Sequence, residues 1–104
     1  MVSDSIQIEV RKTPAFDRWF RKLGDLEARA RILARLRRLT LGNFGDARAV
    51  GARVFELRVD YGPGYRVYFV RHGEAIVLLL CAGDKRNQNA DIRRAQRMVR
   101  ELRE

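Results

Sequence analysis

Cysteine, histidine and lysine are scarce in this chain of 104 residues. Cys81 is the single cysteine and His72 the single histidine. One cysteine excludes an intramolecular disulfide. One cysteine and one histidine fall short of a zinc ligand set, and neither a metal nor another cofactor is expected. Cys81 lies inside an apolar run and reads as an inert core thiol, not as a nucleophile paired with His72. The longest apolar stretch, residues 75–82, is far shorter than the roughly 20 residues a membrane-spanning helix needs. The opening Met-Val-Ser-Asp-Ser lacks the basic and apolar parts of a secretory signal, so a cytoplasmic protein without a membrane partner is expected. No GxGxxG, P-loop or internal repeat occurs, so nucleotide cofactors have no support.

Acids are also in deficit. Thirteen Asp and Glu face 22 Lys and Arg, for a net charge of +9. Nineteen of the 22 are Arg, and only Lys12, Lys22 and Lys85 are Lys. Such a bias also arises from GC-rich coding, and most of these Arg read as solvated helix faces. With 46% of residues apolar or aromatic, the chain is too hydrophobic for a disordered basic arm. A single domain over residues 1–104 is expected, burying roughly two-thirds of the surface its unfolded chain exposes. A basic folded domain points to a polyanionic partner.

The pattern along the chain predicts α+β structure. Ile6, Ile8 and Val10 alternate with polar residues, as in a strand with one buried face. Thr13-Pro14 opens a helix with Thr13 as N-cap. Its stripe is Phe16, Trp19, Phe20 and Leu23, and Gly24 ends it. Asp25 caps a second helix, with Leu26, Ile32, Leu33, Leu36 and Leu39 as its expected inner side. The short turn makes the two an antiparallel hairpin. Ala49-Val50 is a candidate short strand. Residues 54–60 and 65–71 each have two faces, joined by the Gly62-Pro63-Gly64 turn. Residues 75–82 are apolar on both faces, as in a central strand. A last helix, capped by Asn87 or Asn89, carries Ile92, Ala95, Val99 and Leu102. The expected architecture is an antiparallel sheet packed against an N-terminal helical hairpin and a C-terminal helix. Arg58, Arg66 and Tyr68 fall together on the sheet face away from the aliphatic one, which reads as an open, polar face.

The segment from Val54 to Phe69, containing Tyr61-Gly62-Pro63-Gly64-Tyr65-Arg66, resembles the central hairpin of the HigB-like addiction module killer toxins of the RelE/ParE superfamily. The blocks Leu78 to Lys85 and Leu41 to Asp46 match the same branch, and the similarity runs from the first helix to the last. The resemblance implies a RelE-like toxin of a type II toxin–antitoxin system. Such toxins cut mRNA, often on the ribosome, and are neutralised by an antitoxin that usually carries a helix-turn-helix domain.

RNA transesterification requires three things: deprotonation of the 2′-OH, stabilisation of charge on the phosphate, and protonation of the leaving 5′ oxygen. Arg66 matches the family's hairpin Arg and is the candidate clamp for phosphate and transition state. The plain alternative is a cross-strand pair with Glu56. Arg58 is a second charge-stabilising candidate, or a solvated strand residue. Lys85, where the resemblance places a basic catalytic residue, is a candidate for proton transfer or a phosphate anchor. Tyr68 shares a face with Arg66 and is a candidate for base stacking or for packing. Tyr61, Arg86 and Gln88 complete the candidate substrate contacts. Glu56 and Asp84 are acids near this group, made weak bases by Arg neighbours. Several ribosome-dependent relatives carry a His or Tyr near the C-terminus. Residues 86–104 contain neither, so the general acid and base stay open. The same fold also serves ParE-like gyrase inhibitors and non-catalytic binding relics, which remain alternatives.

Overall fold

The computed structural model describes residues 7–102. Its elements follow the expected order. Strand β1 (Glu9–Lys12) precedes helices α1 (Pro14–Lys22) and α2 (Leu26–Thr40). Strands β2 (Arg48–Ala49), β3 (Val54–Val59), β4 (Tyr65–His72) and β5 (Ile76–Asp84) follow. A short 3-10 turn (Lys85–Asn87) then leads into α3 (Gln88–Glu101). The five strands form one sheet in the order β1-β5-β4-β3-β2. Every neighbouring pair is antiparallel except β1 with β5, which run parallel. That pairing brings the start of the described chain beside its last strand. Ile6, the first residue of the expected strand, lies outside the described residues. Ile8 is buried, but its amide bonds the Thr40 carbonyl, so sheet pairing begins at Glu9.

Capping explains where the helices start. Thr13 Oγ1 accepts from the Phe16 amide at 3.1 Å and donates to the Leu80 carbonyl at 2.6 Å. One side chain therefore caps α1 and fixes it to β5. Asp25 accepts from the amides of Glu27 and Ala28 at the start of α2. The inner face of α2 differs from the expected one: Ala28, Ile32, Leu36 and Leu39 are buried, whereas Leu26 is 74% and Leu33 49% exposed. At about 100° per residue, Leu26 lies about 200° around the helix from Ala28 and cannot share its face. Asn87 precedes α3 without a side-chain cap bond; Asp84 instead caps the 3-10 turn by accepting from the Arg86 amide.

The sheet is covered on both sides. Helices α1 and α2 pack on Leu57, Val59, Val67, Phe69, Val77 and Leu79. Helix α3 packs through Ala95 and Val99 on Val54, Tyr68, Val70, Leu80 and Cys81. The face expected to be open is therefore roofed by α3. A bulge lets β5 serve both sides. Tyr68 pairs with Cys81 but Phe69 with Leu79, leaving Leu80 as the extra residue. Leu80 and Cys81 consequently both face α3, and the Leu80 carbonyl is the one Thr13 satisfies. Past the bulge, Gly83 is placed opposite Arg66.

Candidate active site

The Gly62-Pro63-Gly64 turn shapes the site. Gly62 and Gly64 have φ of +57° and +83°, which favour glycine. Gly64 is also constrained by space: a Cβ there would come within 3.3 Å of one Arg66 terminal nitrogen and 3.7 Å of Lys85 Cβ. Its carbonyl accepts from that same Arg66 nitrogen at 3.0 Å.

A cavity of about 200 Å³ opens beside this turn. Arg58, Arg66 and Lys85, three of the four residues proposed from sequence as catalytic, line it together. Arg58 and Arg66 are directly opposite each other on β3 and β4. Like charges at facing strand positions repel, so the arrangement favours an anion between or above them. Among the described residues, the one carboxylate in the lining is Asp60. Arg58 and Lys85 are exposed, whereas Arg66 is only 7% exposed.

Behind the cavity lies a buried carboxylate. Glu56 is fully buried and accepts from Arg48 Nε at 2.9 Å, Tyr68 Oη at 3.1 Å and Gln88 Nε2 at 2.8 Å. Burial pushes its carboxyl up, but the bonds from Arg48, Gln88 and Tyr68, with the Arg48 charge, bring it below the ordinary value. Arg66 Nε stands 3.6 Å from the same carboxylate and has no hydrogen-bond partner among the described residues. The cross-strand pair with Glu56 is thus present, and it backs a guanidinium that also lines the cavity.

The remaining candidates are placed elsewhere. Tyr68 is fully buried and donates to Glu56, so it is not available to stack on a base. Burial, then Glu56, push its phenol up. Gln88 is likewise spent on Glu56. Arg86 pairs with Asp84 at 2.9 Å. Tyr61 lies between elements: its hydroxyl donates to Asp25 at 3.3 Å and the Arg31 guanidinium sits 4.7 Å from its ring centre. His72 pairs with Ile76, five residues along β5 from Cys81 and so about 17 Å away. The buried Cys81 thiol is pushed up to about 11, by burial first.

Two residues near the cavity escaped the sequence reading. Tyr65 lines it while packing, as alternation assigned it, on the aliphatic face with Val67 and Phe69. As the first residue of β4 it reaches the sheet end, where its ring packs edge-on against Trp19. Burial, then Asp25 and Asp84, raise its phenol, so it stays protonated. Asp91 on α3 presses on Gly83, opposite Arg66; a Cβ on Gly83 would collide with its carboxylate. Burial raises the Asp91 carboxyl. No spacing rule signals either contact.

Among the described residues, no helix is long and apolar enough to cross a membrane. A family profile described as phage derived protein Gp49-like matches residues 18–103. An uncharacterized protein of Haemophilus influenzae is 47% identical over 95 residues, covering 91% of this chain and 96% of its own. The fold is similar to that of the Escherichia coli toxin RelE, solved as a double arginine-to-alanine mutant in the free state. That match has a TM-score of 0.72 and 14% identity, over 93% of this chain and all of the other.

Proposed function

The chain belongs to the phage-derived Gp49-like protein family, and with its RelE-like fold as second premise we propose that it is the toxin of a toxin–antitoxin pair, an endoribonuclease that cuts mRNA on the ribosome. The observation that carries this reading is the convergence of Arg58, Arg66 and Lys85 on one cavity, with the two Arg directly opposed. Arg66, backed by Glu56, presents its terminal nitrogens to the scissile phosphate and to the charge that grows on it. Arg58 adds a second cation from the open side. The Lys85 ammonium donates a proton to the leaving 5′ oxygen, with the protonated Tyr65 phenol as the neighbouring donor. The 2′-OH gives its proton to water as its oxygen attacks phosphorus, the P–O5′ bond breaks with the Lys85 proton passing to the leaving oxygen, and a 2′,3′-cyclic phosphate remains. The HigB-like hairpin sequence supports placement in that branch and an antitoxin partner with a helix-turn-helix domain.

Induction of the protein followed by mapping of new mRNA 5′ ends tests the reading. Cuts inside codons are expected, and they should vanish from untranslated message. Arg58→Ala and Lys85→Ala alter exposed side chains, so each should slow cleavage by about tenfold or more while the fold survives, since a charged hydrogen bond contributes about 1.5–3 kcal/mol. Undiminished cleavage by both variants rejects the site. Intact mRNA with inhibited DNA supercoiling rejects the nuclease and favours a ParE-like gyrase inhibitor.

A further inference from the structure

A second cavity, of about 300 Å³, opens at the far end of β4. From Arg66 to His72 the strand advances about 20 Å, so the two cavities are separate. This one lies where α3 runs out, on the sheet face that the helix otherwise covers. Its floor is aliphatic: Val70, Ile76, Leu78 and Leu102. Its rim is basic: Arg11, Arg53, Arg71 and His72. Among the described residues, no acidic one lines it.

The rim groups are not equivalent. Arg11 is held by Glu9 at 2.8 Å, and the Arg71 guanidinium lies 4.6 Å from the Phe44 ring centre. Arg53 and His72 form no ion pair with any other described residue. The backbone holds Arg53 at the wall in a conformation that disfavours side chains, with φ of +67° after Ala52 at +54°. Its loop is tied on both sides: the Val54 amide bonds the Gly51 carbonyl at 3.0 Å, and Gln96 Nε2 bonds the Val50 carbonyl at 2.9 Å.

We propose that this cavity is a binding site for a carboxylate carried on a compact apolar body. A phosphodiester brings no apolar surface to the aliphatic floor. A bare hydrocarbon strips water from Arg53 and returns no charge. A carboxylate with a short aliphatic tail satisfies both: the guanidinium fork takes its two oxygens, and the tail covers the floor. The C-terminal dipole of α3 opposes an anion, but amounts to about half a charge against four basic side chains. The volume sits at the lower end for small-ligand sites. It suits about ten non-hydrogen atoms at about 30 Å³ each, for which an affinity of about 1 mM is reasonable.

A free short-chain acid and the C-terminal end of an apolar peptide share this chemistry, and two probes separate them. Octanoate and N-acetyl-leucyl-leucine are titrated into the isotopically labelled full chain, with acetate and octanol as controls. Saturable shifts of the Val70, Ile76, Leu78 and Leu102 methyls are expected with octanoate, with a midpoint of about 1 mM. Acetate and octanol should bind about tenfold more weakly, since each supplies half of the recognition. Whichever probe binds more tightly identifies the source. Arg53→Gly removes the guanidinium and puts glycine where φ favours it, so the fold is retained. It should weaken octanoate by about fivefold or more. Unmoved methyls at about 20 mM octanoate, twenty times the expected midpoint, overturn the proposal. So do equal binding of octanol and full-strength binding by Arg53→Gly.

Discussion

At the scale of single residues, Glu56 and Asp91 show how hydrogen-bond donors decide the net shift of two carboxylates that burial pushes the same way. Glu56 is buried among donors, so its carboxyl is held below the ordinary 4.5. Its contribution to stability is complete above that value and is lost as pH falls through the lowered one. Asp91 is partly buried beside Gly83, without comparable donors among the described residues, and its carboxyl is raised above 3.8. Folding then disfavours its charged form; the cost is absent below 3.8 and grows as pH rises toward the folded value. Asp91→Asn should therefore raise Tm at pH 7 and leave it nearly unchanged at pH 3. A Tm series against pH for both proteins checks this, and an equal shift at both pH values defeats it. That Arg66 and Lys85 belong near one another was legible because the hairpin motif marks Arg66 and the Leu78 to Lys85 block marks Lys85, and both line the cavity. Tyr68 was placed on the correct face, but its role was not legible: alternation tells which way a side chain points and not that α3 lies over it. Tyr65 lies on the face that alternation gave it, with Val67 and Phe69, and reaches the cavity only because it ends the strand.

At the scale of elements, the helix starts were readable because a cap is a local event: Thr13 and Asp25 act within three residues of themselves. The inner face of α2 was misjudged because Leu26 and Leu33 are as apolar as the residues that are buried, while Ala28, small enough for close helix–sheet approach, carries little hydrophobic signal. The β5 bulge was invisible for another reason. It depends on Thr13, 67 residues away, to satisfy the Leu80 carbonyl. The bulge sets which residues meet beyond it, and Gly83 is where this matters. Gly83→Ala would drive a Cβ into Asp91 Oδ2, so the carboxylate, and with it the start of α3, must shift. A loss of about 1–3 kcal/mol is expected, the usual cost of overpacking. Asp91→Ala in the same chain should recover most of it. Denaturant melts of the two single variants and the double variant measure the coupling; simple additivity contradicts the proposed collision.

At the scale of the whole molecule, the charge of +9 divides into two parts. The stretch from Arg11 to Leu41 holds ten basic residues against three acids, and Lys85 to Glu104 holds seven against three. These are mostly helix-face side chains suited to gripping a polyanion without reading it, each phosphate contact adding about 0.7–0.9 to the salt slope. The cavity itself uses three cations. Strand β5 lies between β1 and β4 and contributes to both cores, so a chain ending at Ala75 should show no cooperative melt and collapsed amide dispersion. A cooperative transition in that fragment would contradict the dependence on β5. The parallel pairing of β1 with β5 has a consequence in time. Residues 9–12 meet their partners at 76–79 only after most of the chain has been made, and such distant pairings form slowly. During synthesis the early helices have no completed sheet to cover, and Arg58 and Arg66 are joined to the chain before Lys85 and α3. A protein proposed to attack translation thus completes its cavity only when its last strand is in place.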